Sequence, residues 1–181
     1  LAISGERKGI LPSPDWKKVR FKNPADQVWF PGETVIFGIG QGYLIVTPLQ
    51  VANMMASVAN GGKVFRPHVV RLIEHPTADG KLQRLKVASQ ILHQVPLSPD
   101  ALQTVRQGLW RVVNEDGGTG GNARIDGLDI CGKTGTVQVI AQHGWVKAEG
   151  LAFRERDHAW FASFAPRDNP QMVVIVFVEH G

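Results

Sequence analysis

The chain carries Gly132-Lys133-Thr134-Gly135-Thr136 directly before a β-branched run of Val137, Val139 and Ile140. From Thr134 to Ile140, β-branched residues alternate with Gly and Gln, which is the pattern of a strand. A lysine and two hydroxyls at the head of a strand form a place where an anion can be received. The stretch fits two kinds of anion site.

The first candidate is a phosphate-binding loop. Residues 127–134 satisfy the nucleotide-binding pattern G-x-x-x-x-G-K-S/T. That loop needs an apolar strand before it and a helix straight after its Lys-Thr, so that helical N–H groups point at the phosphates. Residues 117–126 are instead rich in Gly and polar residues, and residues 134–140 have the strand pattern. The flanks therefore favour a strand over a nucleotide site.

The second candidate is a carboxylate site on that strand. Lys133 supplies a fixed positive charge, and the hydroxyls of Thr134 and Thr136 can hydrogen-bond a carboxylate. Gly135 leaves space for the backbone of a ligand. If the strand lies at an edge of its sheet, the N–H of Thr136 can face a developing oxyanion. The residue types thus predict binding of a ligand with a terminal carboxylate.

Lys-Thr-Gly at the head of a strand is one of three signatures of the serine penicillin-recognising enzymes, the others being S-x-x-K and S-x-N. Further motifs occur in the order and spacing of one branch of that group, and the chain resembles the class B penicillin-binding proteins, in particular their elongation-type transpeptidases. The motifs that carry the resemblance are Gly9 to Lys17, Pro31 to Thr34, Gly38 to Gly42, Val46 to Ala52, Ala59 to Gly62, Gly118-Thr119-Gly120 and Gly132 to Thr136.

The resemblance implies an acyltransferase that cross-links the stem peptides of peptidoglycan and is trapped by β-lactams. Lys133 and Thr136 would then be catalytic, and Thr134, Gly135 and Thr136 would bind substrate. It also implies an α+β fold, an antiparallel sheet flanked by helices. The implied partner is a SEDS-type glycosyltransferase of the elongation machinery, at the periplasmic face of the inner membrane.

One signature is absent, because none of the six serines is followed three places on by lysine. Ser13-Pro14-Asp15 and Ser98-Pro99-Asp100 match a loose S-x-N/D pattern, but each predicts a helix cap followed by Pro. By resemblance, the nucleophile and a membrane anchor lie upstream. We therefore expect residues 1–181 to be the C-terminal part of one transpeptidase domain, without its nucleophile and its final helix, and inactive alone. The alternative is a non-catalytic peptidoglycan-binding module.

Composition narrows the remaining classes of function. The net charge is +4, but the basic residues are dispersed and no nucleic-acid-binding motif accompanies them. Cys131 is the single cysteine, so there is neither a disulfide nor a cysteine-based metal cluster, and we predict that it is buried. The six histidines show no metal-ligand spacing. The sequence therefore predicts no cofactor, no metal and no nucleic-acid partner.

Caps and periodicity place the remaining elements. We predict that residues 1–33 are mostly loop with one helix from Pro14, and that longer helices start after a capping box at Thr47 and at Ser98. Residues 68–74 and 82–85 predict a hairpin. Residues 132–141, 158–165 and 171–179 predict strands, the last covered on both faces. We expect core packing by Met54, Met55 and Trp110 and by a stripe of Leu102, Val105, Leu109, Val112 and Val113. The long connection at residues 142–157 is a candidate functional segment.

Overall fold

The computed structural model describes residues 5–139 and 151–181. The fold is α+β with antiparallel sheets, as predicted. The described part contains four α-helices and seven strands, which follow one another along the chain as α1 Pro14–Arg20, α2 Pro31–Gly38, α3 Pro48–Ala59, β1 Lys63–Phe65, β2 Leu72–Pro76, β3 Leu82–Lys86, β4 Ile91–Gln94, α4 Pro99–Asn114, β5 Cys131–Val137, β6 His158–Ala165 and β7 Met172–Val178. The chain divides into two compact units, Glu6–Thr47 and, essentially, Pro48–Gly181.

The Glu6–Thr47 unit is organised around a buried lysine. Lys17, on α1, is 3% exposed, and its ammonium donates to the carbonyl of Val28 at 2.7 Å and to Glu33 at 2.5 Å. The second carboxylate oxygen of Glu33 accepts from the N–H of Phe30 at 2.8 Å, at the start of α2. One carboxylate therefore ties the two helices of this unit together.

The Pro48–Gly181 unit contains a three-stranded antiparallel sheet in the order β5-β6-β7. Cys131 pairs with Phe164 at the start of β5, and Phe164 pairs with Val173 of β7. Helix α3 packs on this sheet through a buried cluster made of Met55, Ala59, Cys131, Ala162 and Phe164. A second cluster joins α4 to the sheet and consists of Val113, Ile130 and Ala165. These two clusters fix the position of β5.

Local chemistry explains the helix starts and confirms both predicted serine caps. The Ser13 hydroxyl accepts from the N–H of Trp16 at 3.1 Å, and the Ser98 hydroxyl accepts from that of Ala101 at 3.2 Å. Pro follows each cap at the first helical position. The predicted hairpin also forms, with β2 and β3 antiparallel from Leu72 to Lys86. Neither serine therefore forms an S-x-N motif.

Two core predictions are wrong. Met54 and Val105 are about half exposed, at 54% and 48%. Met54 lies beside Met55 on α3, and adjacent helical positions cannot face the same neighbour. Val105 occupies the flank of the α4 stripe, next to Arg106, whose guanidinium reaches the last carbonyls of α3. A hydrophobic stripe on a helix is wider than the surface that its neighbours cover.

The predictions for the last strand and for the first 33 residues also need correction. On β7, Val173 and Ile175 pack against the core, but Met172, Val174 and Val176 are 40–58% exposed. In the described part of the chain α3 covers one face of this edge strand, and an apolar run does not reveal how many faces are covered. Residues 1–33 include a 3-10 turn at Pro24–Gln27 and the start of α2, so they are less irregular than predicted.

Candidate active site

The candidate site is the exposed half of β5. Cys131 and Gly132 are buried at its start, Lys133, Gly135 and Thr136 are exposed, and Thr134 is partly buried. Among the described strands, β5 is at the edge of its sheet, since its pairing partner is β6 and β7 lies beyond. The edge position is the condition under which a ligand can approach along this strand.

Close packing at Gly132 fixes the distance between β5 and the side chains beneath it. A Cβ atom at this position would lie 2.6 Å from Cζ of Phe161 and 3.2 Å from Cβ of Ser163. Only glycine lets the Phe161 ring lie under β5, where the ring also packs against the cluster of Val113, Ile130 and Ala165. The residue before Lys133 therefore anchors the strand to the core.

Lys133 presents its charge at the surface. Its Nζ donates to the carbonyl of Thr134 at 2.8 Å and lies 3.4 Å from Oγ1 of the same residue. None of the ion pairs formed between described residues involves Lys133. The lysine and the Thr134 hydroxyl thus form a cationic, hydrogen-bonding patch that suits a carboxylate.

A third side chain joins this patch. The Thr119 hydroxyl lies 2.9 Å from the Thr134 hydroxyl, although the residues are 15 positions apart. Sequence reasoning placed Thr119 in the family motif Gly118-Thr119-Gly120 but gave it no role. The sequence did contain one signal for such a role, because Thr119 is a hydroxyl residue between two glycines in the connection that leads to β5.

Gly135 and Thr136 complete the predicted set. A Cβ at Gly135 would make ordinary contact with Cβ of Trp160 at 3.4 Å, so the sheet does not require glycine there. Thr136 is exposed and pairs in register with Ala159. All four predicted site residues therefore lie together along one strand.

Cys131 is near the patch but is chemically inert. It is fully buried, and burial raises the pKa of its thiol to about 11. A buried neutral thiol is a poor nucleophile and a poor metal ligand. Among the described residues no group of three His, Cys, Asp or Glu side chains could hold a metal ion, and no described helix is long and apolar enough to cross a bilayer.

The structure excludes the phosphate-loop interpretation. Residues 131–137 form β5, so a strand follows the Lys-Thr pair where that loop requires a helix. The other candidate segment, residues 142–157, is described only from Leu151 onward, where Phe153–Glu155 forms a 3-10 turn. Its first part, like the predicted strand end at residues 140–141, lies outside the described residues.

Comparison with known proteins bears on both fold and family. The family model "Penicillin binding protein transpeptidase domain" matches residues 1–181. The peptidoglycan D,D-transpeptidase MrdA of Haemophilus influenzae is 36% identical over all of this chain, which spans 27% of that protein. The chain therefore covers about a quarter of this curated relative.

Solved structures agree with this match. The structure of PBP2 from Pseudomonas aeruginosa in complex with WCK 5153 is 38% identical over the whole chain, with a TM-score of 0.72 and 36% of that protein covered. PBP2 of Helicobacter pylori, solved in complex with MreC, is 30% identical over 98% of the chain, with a TM-score of 0.72 and 28% coverage. The chain belongs to the family of penicillin-binding protein transpeptidase domains.

Proposed function

We propose that this chain is the C-terminal part of the transpeptidase domain of a peptidoglycan D,D-transpeptidase of the elongation type, with the nucleophilic serine on a segment outside residues 1–181. The observation that carries the proposal is the patch on the edge strand β5, where the ammonium of Lys133 and the hydroxyl of Thr134 lie 3.4 Å apart and the exposed Gly135 and Thr136 follow. Family membership and the absence of S-x-x-K from this chain support it.

The role of the patch is recognition of a terminal carboxylate. The stem peptide ends in D-Ala-D-Ala, whose carboxylate would lie against Lys133 and accept from the hydroxyls of Thr134 and Thr136. The charge on Lys133 is available for an external anion, because the ion pairs between described residues do not use it. Binding there places the peptide bond next to that carboxylate along β5.

The chemistry is acyl transfer in two steps. The serine oxygen attacks the carbonyl carbon of the penultimate D-Ala, the C–N bond breaks, and the terminal D-Ala leaves with the proton that the serine gave up. An amine of a neighbouring stem peptide then attacks the ester, and the serine oxygen leaves and regains a proton. The N–H of Thr136 would stabilise the oxyanion in both steps. β-Lactams would follow the first step and stop there.

The proposed setting follows the relatives. The Helicobacter pylori PBP2 was solved with MreC, so we extend a place in an elongation assembly to this protein. A SEDS-type glycosyltransferase as partner, and a membrane anchor holding the domain at the periplasmic face of the inner membrane, belong to the same proposal. A net charge of +4 suits an enzyme working near anionic lipid and wall polymers.

The test is to label the full-length protein with fluorescent penicillin and to map the adduct by peptide mass spectrometry. We expect one adduct per molecule, on a serine outside residues 1–181. An adduct on any of the six serines in this chain would contradict the proposed location of the nucleophile. A protein that takes no label but sediments with peptidoglycan would instead be the non-catalytic wall-binding module.

A further inference from the structure

The loop between α4 and β5 brings Thr119 to the candidate site. Its Oγ1 lies 2.9 Å from Oγ1 of Thr134, and Thr134 is the partly buried member of the patch. Lys133 Nζ lies 3.4 Å from the same oxygen. The Thr134 hydroxyl therefore has two protein neighbours, one that donates only and one that can donate or accept.

The backbone of Thr119 is held on both sides by the last turn of α4. The N–H of Gly120 donates to the carbonyl of Val112 at 2.9 Å. Gly118 lies so close to that turn that a Cβ atom there would be 2.3 Å from the same carbonyl oxygen. Val113, the next residue of α4, is 1% exposed in the core. The loop is thus fixed to the core, and the Thr119 side chain leaves it from a defined position.

The contact between the Thr119 and Thr134 hydroxyls limits where their protons can go. The two hydroxyls carry two protons, and the bond between them uses one. Lys133 has no lone pair to offer, so it cannot accept the other proton. When Thr119 is the donor in that bond, the proton of the Thr134 hydroxyl is left over and can be donated to an anion. Without Thr119, the Thr134 hydroxyl could rotate among its staggered positions.

We propose that Thr119 is a positioning residue for carboxylate recognition: its hydroxyl fixes the direction of the Thr134 hydroxyl, so that Thr134 donates to the carboxylate of a stem peptide or β-lactam held by Lys133. The inference rests on the proposed function and adds to it a residue outside the Lys-Thr-Gly strand. Its effect is preorganisation, because the donor is oriented before the ligand arrives.

The test compares second-order rate constants for acylation by fluorescent penicillin in the full-length protein. We expect Thr119→Val, which keeps the shape but removes the hydroxyl, to lower the rate constant about tenfold. Thr119→Ser should stay within about twofold of the wild type, because it keeps the hydroxyl. Thr104→Val is the matched control, since the exposed Thr104 hydroxyl donates to a carbonyl of its own helix at 2.8 Å.

A double-mutant cycle separates positioning from general damage. If Thr119 acts through Thr134, Thr119→Val should have no further effect in a Thr134→Val background. An unchanged rate constant for Thr119→Val, or the same tenfold loss in both backgrounds, would overturn the inference while leaving the proposed function intact. A wild-type protein that takes no label would overturn both.

Discussion

Two lysines, one in each compact unit, show opposite uses of the same side chain. Lys17 of the Glu6–Thr47 unit is buried, paired with Glu33, and lies 5.2 and 5.8 Å from the ring centres of Phe30 and Tyr43. Lys133 of the Pro48–Gly181 unit is exposed, and its ammonium contacts the carbonyl and the hydroxyl of its own neighbour Thr134. Lys17 donates its hydrogen bonds to groups inside the protein, whereas the charge of Lys133 lies at the surface.

The two lysines differ in what they can offer a ligand. The Lys17–Glu33 pair is short and largely buried, and the hydrogen bond from Lys17 holds the pKa of Glu33 below its ordinary value. That pair is already satisfied and has little to offer a ligand. The exposed Lys133 on a sheet edge, beside the Thr134 hydroxyl, is the better candidate. A lysine with many contacts inside the protein, such as Lys17, is therefore not the lysine that is available to bind a ligand.

The largest expected effect on stability is that of Lys17→Met in the full-length protein. This change keeps the length of the side chain but removes the charge opposite Glu33 and the donor to the carbonyl of Val28. We expect the thermal midpoint to fall by about 5–10 °C, because losing one partner of a buried ion pair leaves the other uncompensated. Lys18→Met is the control, since Lys18 is exposed and forms its ion pair with the exposed Asp15.

Differential scanning fluorimetry on both variants gives the answer. Acylation by fluorescent penicillin, measured in parallel below the midpoint, should be retained if the Lys17 effect is confined to stability. Equal thermal midpoints for the Lys17 and Lys18 variants would contradict the claim that Lys17 has a structural role.

Two glycines on β5 sharpen the comparison within a single strand. Gly132→Ala places a Cβ 2.6 Å from Phe161, whereas Gly135→Ala makes an ordinary contact at 3.4 Å. We expect Gly132→Ala to lower the thermal midpoint by about 3–6 °C, since overpacking strains the core. Gly135→Ala should leave the midpoint nearly unchanged but lower the acylation rate constant, because its methyl group would meet the ligand.

Thermal midpoint and acylation rate constant are measured for both variants, and each variant should lower a different one of the two quantities. Parallel losses of both quantities in the two variants would show that β5 is not divided into an anchoring half and a binding half.

A smaller effect concerns pH. Burial raises the pKa of Cys131 from 9.0 to about 11, so the folded protein favours the neutral thiol. The stability that this preference contributes is fully present below pH 9 and is lost as pH rises towards 11. We expect the difference in unfolding free energy between wild type and Cys131→Ala to change by about 1–2 kcal/mol over that interval.

Chemical denaturation at pH 8 and pH 10.5 measures that difference. The contributions of the other titrating groups cancel, because both proteins contain them. A difference that does not vary with pH would mean that Cys131 is solvated in the folded protein.

Local signals predicted much of the Pro48–Gly181 unit. Serine followed by proline marked the start of α4, and strand patterns marked β5, β6 and β7. The four predicted residues at 133–136 lie together because they are neighbours along one strand. Geometry within a single element follows from sequence spacing, so this part of the site was predictable.

Contacts between distant positions were not predictable. The Lys17–Glu33 pair spans 16 residues, and the sequence offered Lys17 only as one of several dispersed charges. The contact between Thr119 and Thr134 depends on how α4 lies against the sheet, which periodicity does not determine. The predicted burial of individual apolar residues was wrong for the same reason, since Met54, Val105 and the outer face of β7 are about half exposed in the described part of the chain.

The most direct test of the account is Lys133→Ala in the full-length protein, with thermal midpoint and acylation rate constant measured on one preparation. The matched control is Lys86→Ala, which removes another exposed lysine of the same unit. We predict a rate constant about 100-fold lower for Lys133→Ala, since the ligand carboxylate loses its charged partner. The midpoint should stay within about 1 °C of wild type, as for other surface changes. An unchanged rate constant would contradict the account, as would a loss of labelling that merely follows a fall in midpoint.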